Sequence, residues 1–490
     1  MILSFILSFY MLLIPTLHNS SNEISFDEYF INKTMRIDYF HIGDAKVEEI
    51  VIDYIYQQGI WAGSIHNLID TFGIGSYEVK VFDEDSSKLI FSKGFNSYFG
   101  EYKTTNDAIN GIKRAYHESL LIPYPKSRIK VEIESRDREN ALKPLFRRVV
   151  DPSNIDIVQE KLQAGTTVYE IQNKADHHQK VDIAFIAEGY TQEEESKFRS
   201  DVERFTGVFF SHEPFESNRE HFNVYGVFKA STESGCDEPR QKNYKKTILN
   251  SSFNALGLER YLLTEDNKSL RDIAAHVPYD TLVIMVNSKR YGGGGIYNFY
   301  SICTVDNDLT DHVFLHEFGH SFAGLADEYY ASTVAYNEFY PKGVEPLEPN
   351  ITALLNPKNV KWKELLHPGI AIPTPWQKKV YDRMNQEFQK KRAECRAKII
   401  QLKKNGATQE EIEKVKQLLV QLEKKHKKDI NDFFTNNPFK DKVGVFEGAG
   451  YSSEGLYRPM LDCIMFRTGV MSYCRVCERA VIRTIEHYTQ

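Results

Sequence analysis

The sequence predicts an α+β chain of two domains: an N-terminal β-sandwich, then an α/β domain that carries a helical-hairpin insertion. Three observations support this. Apolar and polar residues alternate with a period of two through residues 24–152, strands alternate with helices through residues 160–490, and residues 376–435 switch to a charged segment with helical spacing. A chain of 490 residues also exceeds what one hydrophobic core usually supports.

In the first region Met35, Ile37 and Tyr39 alternate with polar neighbours, as do Tyr77, Val79 and Val81 and then Ile129, Val131 and Ile133. Each strand should therefore have one dry face and one wet face. The turn-forming cluster Asp83 to Ser87 predicts a hairpin, and repeated short strands predict antiparallel pairing. Asp151-Pro152-Ser153-Asn154 reads as the linker, because proline disfavours helix before it and Ser/Asn favour turns.

Beyond it come strands at Val181–Ala187, Phe222–Phe228 and Thr281–Val286, with a helix near Leu270. Thr191 with Glu194 three residues later is a capping box that starts a helix right after the first strand. In the insertion, Val380, Met384, Phe388, Cys395, Ile399 and Leu402 form an apolar seam. Asn405-Gly406 breaks it, Thr408 and Glu411 form a second capping box, and Ile412, Val415, Leu419 and Leu422 resume the period. The result is a hairpin that should fold on its own caps. Its charges read as a solvated face, with a recognition arm as the alternative.

Composition excludes two classes. Apolar residues make up 41% and aromatics 13%, which is the profile of a packed globule and not of a disordered chain. A net charge of −7 gives no electrostatic basis for nucleic acid binding. Ile2 to Leu17 form an apolar run that predicts an export signal over residues 1–20, hence an extracellular, periplasmic or cell-surface location. No comparable run follows, so no membrane span is expected in the mature chain. Six cysteines are too few to scaffold a chain of this length, and sequence does not give their pairing.

The chemistry is concentrated at His316-Glu317-Phe318-Gly319-His320, preceded by apolar Val313, Phe314 and Leu315. On a helix, residues four apart share a face, so both histidines can offer a ring nitrogen to a single zinc ion. Glu317 sits one step round, where it can take a proton from a water beside the ion without being a ligand. A catalytic zinc needs a third protein ligand, and Asp327 is the choice, with Glu328 its rival. On an unbroken helix Asp327 would lie about 16 Å along the axis from His316 at ~1.5 Å per residue, so the helix must stop, and Gly324 offers the stop. His312 shares the face, but three successive histidines at this spacing cannot all reach one ion.

Gly292 to Gly295 lack the Lys-Ser/Thr of a phosphate loop. They are read as preceding an edge strand, Ile296 to Val305, which could pair with an extended substrate backbone; Gly293, Gly294, Gly295 and Tyr297 are the candidate substrate-binding residues, and an ordinary turn is the alternative. Cys474-Arg475-Val476-Cys477 lacks a second paired motif for structural zinc and a redox context, which leaves a structural role, with Cys463 or Cys303 as partner.

Gly469-Val470-Met471-Ser472-Tyr473 has the form of a methionine turn, and with it the pattern from His316 to Asp327 resembles the metzincin clan of zinc peptidases. Asp327 stands seven positions after His320, one more than that clan's usual third ligand, and is Asp instead of His. This departure, the run His316 to Tyr329, the glycines after Tyr291, Glu447 to Tyr451 and Tyr457-Arg458-Pro459 closely resemble the IgA peptidase family, metallopeptidase family sixty-four. The resemblance also takes in a β-rich N-terminal domain; the hairpin at 376–435 stands outside it. It implies a metzincin-like catalytic domain, with Met471 as a floor beneath the metal and Tyr473 as a group that stabilises the oxyanion. The expected function is that of an exported zinc metallopeptidase, a hydrolase with one catalytic Zn2+, acting on a protein or peptide. Oligomeric state is not legible. A protein- or glycan-binding surface module that had lost activity would be expected to lack Glu317, which is intact, and a cell-wall peptide amidase is the third possibility.

Overall fold

The computed structural model describes residues 24–173, 176–330 and 339–490. The expected export signal at 1–20 lies outside the described residues. Helix α1 (Phe26–Tyr29) leads into β1 (Phe30–Gly43), β2 (Glu48–Gln57), β3 (Tyr77–Asp83) and β4 (Leu89–Phe95). Short helices α2 (Tyr98–Tyr102) and α3 (Asn106–Ile109) then precede β5 (Arg114–Pro125), β6 (Ile129–Arg136) and β7 (Leu142–Val150). These strands make two four-stranded sheets, β5-β1-β2-β8 and β4-β3-β6-β7, where β8 (Val158–Gln159) joins the β2 edge in parallel. Met35, Ile37 and Tyr39 of the first sheet and Tyr77, Val79, Val131 and Ile133 of the second belong to one apolar cluster.

The expectation of a wet second face fails on β1. Arg36 and Asp38 are fully buried, paired to each other at 2.9 Å, and Arg36 reaches Asp272 at 2.7 Å. Asp272 belongs to α5 (Asn267–Ala274), so the second domain covers the face that alternation left to solvent. A charged pair with a third partner satisfies the buried guanidinium, and an alternation rule cannot foresee such a cover.

The second domain is built on a six-stranded sheet. In chain order it comprises β9 (Thr166–Gln172), β10 (Val181–Glu188), helix α4 (Glu195–Phe209), β11 (Phe222–Lys229), α5, β12 (Thr281–Val286), β13 (Gly293–Ile296), β14 (Tyr300–Thr304) and helix α6 (Thr310–Ala323). The order is β13-β14-β12-β10-β11-β9, parallel in the centre and antiparallel at both edges. β10 and β12 are buried at every position, as a parallel sheet covered on both sides requires. Phenylalanines of α4 and α6 cover one side. The other side packs against α5 and against Tyr98, Phe99 and Tyr116 of the N-terminal domain. The Thr191–Glu194 capping box is present and opens a short turn leading into α4.

Gly293 to Ile296 is itself the edge strand β13, and Tyr300 to Thr304 is the next strand inward. This corrects the expectation of one edge strand over 296–305. The glycines are strand residues because α6 lies too close for side chains: a Cβ at Gly293 would stand 2.5 Å from Val313 Cγ1 and 3.1 Å from Glu317 Cγ, and one at Gly295 would stand 2.4 Å from the Glu317 carbonyl oxygen.

The insertion forms two antiparallel helices, α7 (Lys378–Lys404) and α8 (Gln409–Thr435), with the Thr408–Glu411 capping box at the tip. Its independence does not extend to its base. Tyr381, Ile430 and Phe434 enter the main core, and Tyr381 and Phe434 both pack on Phe466. The Tyr330 hydroxyl donates to Asp382 at 2.6 Å, and Arg467 donates to Asn431 at 2.7 Å. The chain closes with β15 (Phe446–Ala449), β16 (Ser452–Arg458) and helix α9 (Arg475–Thr489).

The base and the tip of the hairpin should respond differently. Phe434→Ala should destabilise the fold by about 3–5 kcal/mol, the usual cost of emptying a buried aromatic site. Replacing residues 391–423 with a short Gly/Ser linker should leave the urea midpoint near that of the intact chain. Equal losses from the two changes would show that the tip, too, belongs to the core.

Candidate metal centre and cleft

Helix α6 sorts its residues by face. Val313, Phe314, Leu315, Phe318 and Phe322 go into the core, which leaves His316, Glu317 and His320 facing a cleft of about 1870 Å³. The helix ends where the turn was expected. Gly324 takes left-handed angles (φ 59°, ψ 34°), and the Leu325 N–H bonds back to the Gly319 carbonyl at 3.2 Å. A Cβ at 324 would lie 2.6 Å from Ile74 Cγ2 of the N-terminal domain, so sterics as well as dihedral angles demand glycine.

The reversal brings Asp327 back to the helix. Its Oδ1 lies 3.1 Å from His316 Nε2 and 3.3 Å from His320 Nε2, and the two Nε2 atoms are 3.1 Å apart. Each imidazole uses its other nitrogen as a donor, His316 Nδ1 to the Ile464 carbonyl at 3.1 Å and His320 Nδ1 to the Leu325 carbonyl at 2.6 Å. That fixes the tautomer and leaves both Nε2 lone pairs pointing to one spot. Buried Asp327 Oδ1 then has no hydrogen to accept. A tetrahedral ion with bonds of about 2.0–2.1 Å has ligand-to-ligand edges of about 3.3 Å, so the triangle fits one. Of the two acids weighed, the structure brings Asp327 to the imidazoles and turns Glu328 away.

The lone pairs belong to the neutral imidazoles; with no ion between them, the charges instead favour a proton on His320 beside an ionised Asp327, which a metal would have to displace. Burial opposes ionisation of Asp327, but the neighbouring His320 and His316 outweigh it and hold the carboxyl far below its usual range. Burial disfavours the His320 cation too, yet Asp327 pulls it up to about 9. Glu317 moves upward, because burial outweighs His316 and His320. Its carboxylate lies within 4.8 Å of both imidazoles, beside the triangle.

Several expected roles fall elsewhere. Tyr473 is buried behind α6, its hydroxyl donating to the Leu315 carbonyl and its ring against Gly319, so it does not face the cleft. Met471 is half-buried, and its neighbour Val470 receives His312 Nδ1 one helical turn before His316. The loop that abuts the triangle is Ile464-Met465: it receives His316 at Ile464, and the Met465 carbonyl accepts from the Glu328 N–H at 2.8 Å. Tyr297 is almost fully buried, its carbonyl accepting from the Asn96 N–H at 2.9 Å, but it still lines the cleft. Gly293 and Gly295 line the cleft, whereas Gly294 packs the other way, toward Leu263 and Tyr261.

Sequence reading missed Tyr451. Its hydroxyl donates to Asp327 Oδ2, completing the carboxylate's contacts, and its backbone sits at φ 63°. A non-glycine residue there costs about 1–3 kcal/mol, sustained by surrounding contacts. Gly450 and Tyr451 donate to the carbonyls of Asp327 and Tyr329 at 3.0 Å, so the β15–β16 turn clamps Asp327. Tyr329 also stacks on His316, with ring centroids 6.4 Å apart. The glycines flanking this turn were visible in the sequence, but nothing in their spacing points to a tyrosine reaching across to Asp327.

Fold and site together define a two-domain protein with a candidate metal centre of two histidines and one carboxylate in a deep cleft. The chain belongs to the IgA peptidase family M64: residues 169–485 match IgA Peptidase M64 and residues 25–147 match the Peptidase M64 N-terminus. By family it is a peptidase. A comparison with curated proteins finds no match.

Removing the Tyr451 hydroxyl should loosen the metal without unfolding the site. Tyr451→Phe should weaken zinc affinity by about 10–100-fold, as is usual for the partner of a metal ligand. Competition with a chromophoric chelator measures this, and an unchanged affinity would remove Tyr451 from the clamp.

Proposed function

We propose that the chain is a zinc-dependent metalloendopeptidase that hydrolyses peptide bonds of a protein substrate, with His316, His320 and Asp327 as zinc ligands and Glu317 as general base. The observation that supports it is the triangle of donor atoms 3.1–3.3 Å apart, one of them a buried carboxylate oxygen with no hydrogen to accept. When bound there, zinc supplies a Lewis acid for the scissile carbonyl and lowers the pKa of a neighbouring water to about 7.

Glu317 accepts the proton of the attacking water and returns it to the leaving amine. Burial raises its basicity toward what that exchange needs. Arg260 and Tyr291 line the cleft near Glu317 and take the place first assigned to Tyr473, as the groups that stabilise the oxyanion. The cleft exceeds the ~300–1,000 Å³ of a small-molecule site and suits a polypeptide.

Edge strand β13 supplies the backbone docking line. The Gly293 carbonyl points outward to Leu262 N–H, so strand alternation turns the N–H and C=O of Gly295 to the same edge, beyond the Tyr261–Leu262 segment that covers it at Gly293, and there extended substrate pairs. On the same reading the two N-terminal sheets, which share one core, form a β-sandwich, and the catalytic domain is metzincin-like. Export is part of the proposal and rests on the apolar run Ile2–Leu17. Among the described residues no helix is long and apolar enough to cross a membrane.

Glu317→Gln should keep zinc and fold while turnover of a peptide substrate falls by about 10²–10⁴-fold, because the amide cannot accept the proton. Substrate affinity should change far less. Wild-type turnover by the zinc-loaded variant would assign the base elsewhere.

A further inference from the structure

Behind the catalytic triangle lies a second group of donors that the peptidase chemistry does not use. Cys463, Cys474 and Cys477 are buried, and Glu328 beside them is fully buried; one donor atom from each lies within 4.8 Å of all the others. The four come from three segments: Glu328 follows α6, Cys463 sits in the loop before α9, and Cys474 and Cys477 stand at the start of α9.

We propose that Glu328, Cys463, Cys474 and Cys477 form a second, structural zinc site. Distances support it. Cys463 Sγ and Cys477 Sγ are 3.8 Å apart, and Glu328 Oε1 lies 3.2 Å from Cys477 Sγ and 3.8 Å from Cys474 Sγ. A tetrahedral ion with Zn–S of about 2.3 Å and Zn–O of about 2.1 Å has edges of about 3.8 Å between sulfurs and about 3.6 Å from sulfur to oxygen. The two 3.8 Å edges lie close to those of a single ion, and the 3.2 Å edge is shorter.

One observation points to a buried cation, and a second to a net negative charge around it. Glu328 Oε2 is buried with no hydrogen-bond partner. Arg458 is fully buried, stacked on Phe466 at 3.9 Å; its Nε and Nη2 have no hydrogen-bond partner, and it acts electrostatically on Glu328. Three thiolates and a carboxylate around Zn²⁺ carry a net charge of −2, and a buried guanidinium offsets half of it. Binding releases the three thiol protons to solvent; no electron is transferred.

The site has a mechanical consequence. Asp327 and Glu328 are consecutive and point to opposite sides of one segment, which Asn350 pins by bonding Ala326 N–H at 2.8 Å and Glu328 Oε1 at 3.1 Å. An ion on Glu328 and Cys463 fixes both the segment that presents Asp327 and the loop whose Ile464 carbonyl orients His316. The second ion therefore positions two of the three catalytic ligands from behind.

Elemental analysis of the intact chain should find two zinc ions, and the His316→Ala/His320→Ala variant should keep one. With cobalt in place of zinc, that variant should show a near-ultraviolet thiolate-to-metal charge-transfer band, which the catalytic N/O ligands cannot give. Cys477→Ser in the same background should abolish the band. One zinc in the intact chain and none in the histidine variant would overturn the proposal, as would an intact mass about 2 Da low, which marks a disulfide among these cysteines.

Discussion

Helix α6 has to stop at Gly324, and the catalytic centre depends on that stop. Two imidazoles on one helix face fix a direction but leave coordination incomplete, and a third donor must come back against the direction of the chain. The left-handed glycine provides the reversal, and Ile74 closes over it so that no larger residue fits. Everything beyond it holds Asp327 in place: the Leu325 carbonyl on His320, Asn350 on Ala326, and the Tyr451 turn on the carboxylate itself. On the proposed reading a metal would organise this segment, where a buried carboxylate stands against two imidazole nitrogens.

The same economy shapes the cleft. Gly293 and Gly295 let β13 and α6 approach to a distance that no side chain would allow, which places the strand beside Glu317. The N-terminal domain covers the far side of the catalytic sheet with aromatic residues and lends Ile74 and Arg136 to the cleft wall. Asn67 donates to the carbonyls of His487 and Gln490 at the end of α9, and Asn298 donates to the Gly94 carbonyl at 2.7 Å. Ile74 thus serves both the domain contact and the turn at Gly324.

Much of this was legible in the sequence because local rules decide it. Helical spacing put His316 and His320 on one face, simple helix arithmetic required a break before Asp327, and both capping boxes sit where their spacing put them. What failed depends on distant parts of the chain. Alternation on β1 could not show that a second domain would bury Arg36 and Asp38. Nearness to Met471 could not tell which side of α6 Tyr473 would occupy. The glycine run resembled a turn because its true constraint, the side chains of Val313 and Glu317, lies in another element. Cys463 was among the partners weighed for Cys474 and Cys477, but Glu328 was not, because it arrives from a separate loop.

Diffraction from crystals of the intact chain at the zinc absorption edge tests the central claim most directly. The account places an anomalous peak at about 2.0–2.2 Å from His316 Nε2, His320 Nε2 and Asp327 Oδ1 together, with the Glu317 carboxylate beside the ion and unbonded to it. A peak bound by Glu317, or one that Asp327 does not touch, would contradict it, as would no peak between the two histidines.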